Sequence, residues 1–278
     1  IRPEVSGVVV TQPADNIEET AYFVSISLSD VFQNQNSKPI VFTTCMNPED
    51  PMFDGTKNLL DSIRVACHDV KGDIPTVVVC MNGEIHAASR AQLTHTNKAS
   101  ALASPGWGPV GYVDRDNVYF RCGALELDTG LNFPMLKKLT AKVPVVKAMC
   151  GDDGALLEMV LEKEPDAIIV EGFGRGNLPA GMMPAIKKAV KKGIFVVIST
   201  RASSGRVLDS TVFPGSVAQC LESGCLLAGE TTTAKARLLL MYVLSQKEAI
   251  QLKKEDPERF FAYVQECLDP VLTNRLFG

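Results

Sequence analysis

At 278 residues and 46% apolar content, the chain is long enough for one large or two ordinary domains with real cores. Its net charge of −4 is spread over interspersed acids and bases, so no basic face advertises nucleic acid and no charged tail advertises a membrane. The longest apolar runs, residues 77–81 and 238–244, are strand-sized and far short of the about 18 residues that a spanning helix needs.

Taken in chain order, strands and helices alternate, which predicts an α/β fold with largely parallel sheets. Residues 7–10 read as a fully apolar strand. Ile17, Ala21, Val24, Leu28 and Val31 then recur at helical spacing, up to a polar run at 33–38. Residues 39–43 form the next strand, 54–67 the next helix, and 75–81 a third strand. Residues 112–113 and 118–121, split by Asp114-Arg-Asp-Asn117, predict an antiparallel hairpin. A second unit repeats the logic, with strands at 143–149, 166–170 and 193–199 and helices at 155–163, 180–192, 231–243 and 257–267. The predicted domains are therefore 1–122 and 143–278, joined by a connector at 123–142 without clean periodicity.

Eight cysteines are scattered through the chain, and none forms a CxxC pair. Disulfide scaffolds belong to small secreted domains and zinc sites need close ligand pairs, so free, mostly buried thiols in a cytoplasmic setting are expected. No metal site and no cofactor are expected. The chain opens on Ile1 without a recognisable signal peptide.

Ligands of parallel sheets sit at the carboxyl ends of the strands, which singles out the loops at 11–16, 172–178 and 200–206. In the first, Asp15 or Asn16 is placed to cap the following helix, with Glu18 and Glu19 in its first turn, where the helix dipole favours negative charge. Asp54, and Thr231 or Thr232, are candidate caps of two later helices. The run Gly172-Phe-Gly-Arg-Gly-Asn-Leu-Pro179 is glycine-rich but lacks the lysine ending of a phosphate-binding loop.

These segments carry a resemblance. The stretch Gly7-Val-Val-Val-Thr-Gln-Pro-Ala14 followed by Asp15-Asn-Ile-Glu-Glu-Thr-Ala-Tyr-Phe23 is similar to the bacterial-type L-asparaginase signature Val-Val-Thr-His-Gly-Thr-Asp-Thr, one variable residue, Glu-Glu-Thr-Ala-Tyr-Phe. Met81-Asn-Gly-Glu-Ile-His-Ala-Ala-Ser-Arg-Ala-Gln-Leu-Thr-His-Thr96 resembles the family's Glu-Ile-His-Ala-Ala, a spacer, and Thr-Lys-Thr-His-Thr. Pro39-Ile-Val-Phe-Thr-Thr-Cys-Met-Asn-Pro48, the run from Asp54 to Leu60, Ser104-Pro-Gly-Trp-Gly-Pro-Val-Gly-Tyr112, the turn at 172–179, and the segments 199–207 and 228–241 match further family motifs in family order.

The resemblance implies a two-domain asparaginase-like fold, with a larger N-terminal mixed-sheet domain and a smaller, flavodoxin-like parallel-sheet C-terminal domain. It also implies that reacting groups are lost. The family's catalytic threonine falls on Ala14 and its catalytic lysine on Leu93, so no catalytic residue is intact. A methyl group and an isobutyl group neither attack a carbonyl nor take a proton. Asp15 matches the aspartate that binds the substrate's α-amino group, and Asn177 matches an asparagine that the family's glycine-rich turn contributes to a neighbouring subunit's site. Thr44 and Asn47 depart from the family beside that site, while His86, His95 and Lys98 are expected to be scaffold rather than replacement bases. The family's N-terminal strand, which carries the primary nucleophile, finds no match in this chain and belongs before Ile1; its loss would leave a sheet edge exposed.

The expected function is that of a catalytically impaired asparaginase-family protein that still binds a small amino acid such as aspartate or asparagine. Two rivals are an active L-asparaginase using a nucleophile outside this chain, and an assembly subunit without a ligand. A homodimer or homotetramer is expected, without nucleic-acid or membrane partners.

Overall fold

The structure of the protein, a computed structural model, describes residues 4–32, 38–46, 54–68, 75–121, 132–209 and 211–269. It divides into two compact units, residues 1–135 and 136–278.

The first unit opens with β1 (Val8–Thr11), a 3₁₀ turn at Ala14–Asn16, and α1 (Ile17–Ser27). Its helical periodicity was expected to run on to Val31, but the helix breaks at Leu28 and resumes only as the short α2 (Ser29–Phe32). The Ser29 hydroxyl donates to the Ile26 carbonyl at 2.9 Å, a local bond that competes with continuation of the helix. Then come β2 (Ile40–Thr43), α3 (Gly55–Cys67), β3 (Val77–Met81), β4 (Glu84–Ala87), β5 (Gln92–Leu93), β6 (Leu102–Ala103), β7 (Gly111–Asp114) and β8 (Asn117–Phe120). One mixed sheet runs in the order β1-β2-β3-β4-β7-β8, its first three strands parallel and the rest antiparallel, while β5 and β6 form a separate ribbon. β1 is an edge strand of this sheet.

The apolar runs of the parallel strands are explained by burial on both faces. Val41, Val78 and Cys80 pack with Val65 and Ala66 of α3. Their neighbours Phe42, Val77 and Val79 pack on the other face with Ile17 and Ala21 of α1. The β3–β4 connection is a two-residue turn, Asn82-Gly83, with φ of 53° and 79°. That left-handed pair is what Asn-Gly supplies in a hairpin matched to strand twist.

The second unit contains β9 (Val145–Lys147), α4 (Ala155–Leu161), β10 (Ala167–Gly172), a 3₁₀ turn at Ala180–Met182, α5 (Met183–Lys191), β11 (Phe195–Thr200), α6 (Val217–Glu222), β12 (Leu226–Leu227), α7 (Thr233–Leu244), α8 (Lys247–Glu255) and α9 (Pro257–Leu268). Its sheet is wholly parallel, in the order β12-β11-β10-β9. Leu157, Met182, Ile186 and Cys220 pack onto Val146, Ile168, Val170, Val196 and Ile198, forming one core layer. At the β12 edge, the fully buried Gln265 of α9 takes the place of a further strand. Its side-chain oxygen accepts from Leu227 N at 2.9 Å, and its nitrogen donates to Leu227 O at 3.0 Å.

Seven free cysteines are described, and Cys122 lies outside the described residues. Cys80, Cys220, Cys225 and Cys267 are buried, whereas Cys67 and Cys150 are exposed, so the expectation of buried thiols holds for only part of the set. Burial is the main cause that pushes the Cys80 and Cys267 thiols up to about 12. No helix among the described residues is long and apolar enough to cross a membrane.

Candidate functional site

β1 and β2 run side by side and end level with each other, Thr11 opposite Thr43. The pairing continues one step beyond the strands, where Gln12 N donates to Thr43 O at 3.3 Å. The loops that leave these carboxyl ends, with the first turns of α3 and Thr96, enclose a cavity of about 700 Å³. Pro13, Ala14, Asp15, Thr44, Cys45, Met46, Gly55, Thr56 and Leu59 contribute to its wall.

The first loop is tied down by its own side chains. Gln12 Nε2 donates to Asn16 Oδ1 and to Thr20 Oγ1, each at 3.3 Å, and Thr20 Oγ1 donates back to Asn16 O at 3.1 Å. This overturns the capping expectation. Asn16 occupies the N-cap of α1, but its oxygen serves Gln12, and no side chain caps the helix. Asp15 sits inside the preceding 3₁₀ turn, exposed, and its carboxylate has no hydrogen bond or ion pair among the described residues. The other two expected caps fail as well. Asp54 Oδ2 accepts from Met46 N at 3.4 Å and Asn58 Nδ2 at 3.2 Å, and Thr232 holds the N-cap of α7 without a side-chain bond.

The second loop is held from below by Asn58, which is 1% exposed. Its Nδ2 donates to Thr44 O at 2.9 Å, and its Oδ1 accepts from Asn82 N at 2.9 Å, so one side chain joins the cavity wall to the β3–β4 turn. Thr43 Oγ1 donates to Cys80 O at 2.8 Å and Thr44 Oγ1 to Cys45 O at 3.3 Å, which leaves both hydroxyl protons engaged within the protein. Cys45 is a half-buried thiol on this wall. Burial first, and then the Asp54 carboxylate, raises its pKa, so at neutral pH it is a protonated, weakly nucleophilic thiol.

Of the residues singled out by sequence, Ala14 and Asp15 meet at this cavity. Leu93 does not line it. It pairs with Leu102 in the β5–β6 ribbon, and its backbone N–H donates to Glu18 Oε2 of α1 at 2.6 Å, which ties the ribbon to the helix that follows the Asp15 loop. Asn177 belongs to the second unit, where its Oδ1 accepts from Val217 N at 3.2 Å and its backbone closes the turn on Phe173. Asn47 lies outside the described residues. His86 is a buried core histidine between Ser104 Oγ at 3.0 Å and the Glu84 carboxylate at 3.4 Å. His95 organises its own turn, with Nδ1 accepting from Asn97 N and Lys98 N. Sequence reasoning missed Cys45, Met46, Thr56, Leu59 and Thr96 as wall residues. Only the position of Cys45 and Met46 just past the end of β2 carried a signal for them.

Residues 1–124 match the family model "Asparaginase, N-terminal", and residues 142–255 match "Glutaminase/Asparaginase C-terminal domain". An L-asparaginase of Bacillus licheniformis is 31% identical over 250 residues, covering 89% of this chain and 74% of that protein. The chain belongs to the asparaginase family. L-asparaginase 2 of Bacillus subtilis (strain 168) is 29% identical over 268 residues, covering 95% of this chain and 65% of its own length. The chain thus spans between 65% and 74% of these two asparaginases. The crystal structure of a probable cytoplasmic L-asparaginase from Campylobacter jejuni superposes with a TM-score of 0.77 at 27% identity, covering 95% of this chain and 78% of that one. The two-domain α/β asparaginase fold, with a mixed N-terminal sheet and a parallel C-terminal sheet, is therefore that of the family.

Proposed function

We propose that this asparaginase-family protein binds a small amino compound, such as an amino acid, but is impaired in hydrolysis. One observation carries the reading: Ala14 and Asp15 line the same cavity, the first a methyl group and the second a carboxylate with no partner among the described residues. An unpartnered carboxylate at a cavity is a ready receptor for an ammonium group, with which it forms charge-assisted hydrogen bonds. A methyl group at 14 and an isobutyl group at 93 remove the hydroxyl and the amine that the family resemblance assigns to those positions. Each lost acid–base group costs about 10²–10⁴ in rate. Cys45, the thiol nearest to a substitute nucleophile on the wall, is raised away from its reactive form.

The names of the relatives favour a second reading, an active L-asparaginase that hydrolyses asparagine to aspartate and ammonia with a nucleophile outside this chain. A homodimer or homotetramer belongs to the same proposal as the first reading. The exposed apolar side chains Met149, Leu156 and Met159 of the second unit support it, as surface that assembly would cover. The buried free thiols support a reducing, cytoplasmic setting.

Calorimetric titration of the chain and of Asp15→Asn with simple amino acids and amines tests the binding role. Any amino compound that binds is expected to lose about tenfold or more in affinity to Asp15→Asn, the scale of a charge-assisted bond. Absence of binding at millimolar concentration, or equal affinity in both proteins, would overturn the reading.

A further inference from the structure

Helix α6 ends in a closure that brings two cysteines together. Gly224, at φ 89°, turns the chain out of the helix, and its N–H donates to Leu221 O at 2.9 Å. Cys225 N then donates back to Cys220 O at 3.0 Å. This pair of bonds is a Schellman-type helix stop, which sets the side chain after the glycine against the one five positions earlier. Here both side chains are buried thiols, and the Cys225 S–H donates to the Cys220 sulfur. A direct N–H···O=C bond between two residues also keeps their Cα atoms within the ~4.4–6.8 Å that a disulfide spans.

A lone cysteine in a core serves as a small hydrophobe, but two in contact across a helix stop also hold a reaction, because joining them needs no rearrangement of the fold. The contact assigns their roles. Donation from Cys225 lowers the pKa of Cys220, and the same bond, with burial, raises that of Cys225. Cys220 is therefore the attacking thiolate and Cys225 the thiol that resolves.

We propose that Cys220 and Cys225 form a reversible disulfide, made on exposure to hydrogen peroxide and undone by a dithiol, that braces the end of α6. The Cys220 thiolate attacks one peroxide oxygen, the O–O bond breaks, and the other oxygen leaves as hydroxide, which takes up a proton to become water. The Cys225 sulfur then attacks the resulting sulfenic acid. The S–S bond forms, and the sulfenic hydroxyl leaves with the Cys225 proton as a second water. Two thiols are oxidised, and one peroxide is reduced to two waters. The brace bears on two neighbours. Val217 N, at the other end of α6, donates to Asn177 Oδ1 at 3.2 Å in the glycine-rich turn, and Cys225 leads directly into β12.

Peptide mapping of the unaltered chain after hydrogen peroxide treatment, with remaining thiols alkylated under denaturing conditions, tests this. The tryptic segment 207–235 contains Cys220 and Cys225 and no other cysteine. It is expected to lose the mass of two hydrogen atoms and to regain it with dithiothreitol, and the loss is expected to vanish in Cys220→Ser. In the oxidised protein the Cys225 amide is expected to exchange at least about tenfold slower than in the reduced protein. Alkylation of both thiols of this segment after the exposed Cys67 and Cys150 have been oxidised would overturn the proposal, as would oxygen added to either sulfur without the internal bond. A disulfide that leaves the Cys225 amide exchange unchanged would overturn the bracing.

Discussion

Replacing Asn58 by leucine is expected to lower the stability of the first unit by about 3 kcal/mol, a large effect for a single substitution. Asn58 is 1% exposed, and the leucine would sit against the polar groups that its amide serves, the Asp54 carboxylate among them. What it removes is the donor to Thr44 O and the acceptor of Asn82 N. The buried Thr44 carbonyl left without its donor costs about 1–3 kcal/mol, while the N–H of exposed Asn82 is left to water and loses about 1 kcal/mol. Asn82 is additionally held at φ 53°, so the bond to Asn58 stabilises a turn that a non-glycine residue adopts reluctantly. The change is read as a lower urea midpoint at unchanged slope, with Ile63→Asn on the exposed face of the same helix as a control within about 0.5 kcal/mol. Because Thr44 belongs to the cavity wall, the same variant is expected to weaken any ligand bound there.

Gln265→Leu is expected to cost the second unit about 3 kcal/mol for the same physical reason in a different setting. Parallel pairing uses alternate residues on each side of a strand. Ala228 N donates to Ile198 O toward β11, so the N–H and carbonyl of Leu227 face away from the sheet. The side-chain amide of Gln265 satisfies both, as a neighbouring strand would. Leucine has the volume but neither bond, so Leu227 is left with two unpaired groups in a fully buried position. Hydrogen exchange at the Leu227 amide gives a local readout, with protection expected to fall in the variant by more than the global loss of stability explains.

Much of the framework was legible because its signals are local. The parallel strands are continuous apolar runs since both faces are buried, and the hairpin around Arg115 and Asp116 lies between alternating strands. The elements that escaped are those whose existence depends on partners. β12 is two residues long and is held by β11 on one side and a glutamine on the other. Helix caps read from residue type misled for a similar reason: Asn16 Oδ1 serves Gln12, and Asp54 Oδ2 serves Met46 N and Asn58 Nδ2, so neither of these oxygens turns to the free N–H groups of its helix. In the cavity, Ala14 and Asp15 were visible because they directly follow β1, whereas Leu59 and Thr96 join the wall only through the folding of distant segments. Leu93 illustrates the limit in the other direction. The motif around it is plain in the sequence, yet its place in the ribbon, bonded to Glu18 rather than lining the cavity, is a property of the tertiary structure.

We propose binding without turnover for the cavity of this asparaginase-family chain. Ammonia release from millimolar L-asparagine by the unaltered chain, measured beside Asp15→Asn, tests it most directly. Release at the background rate is expected in both proteins. Sustained turnover by the unaltered chain that Asp15→Asn abolishes would contradict it.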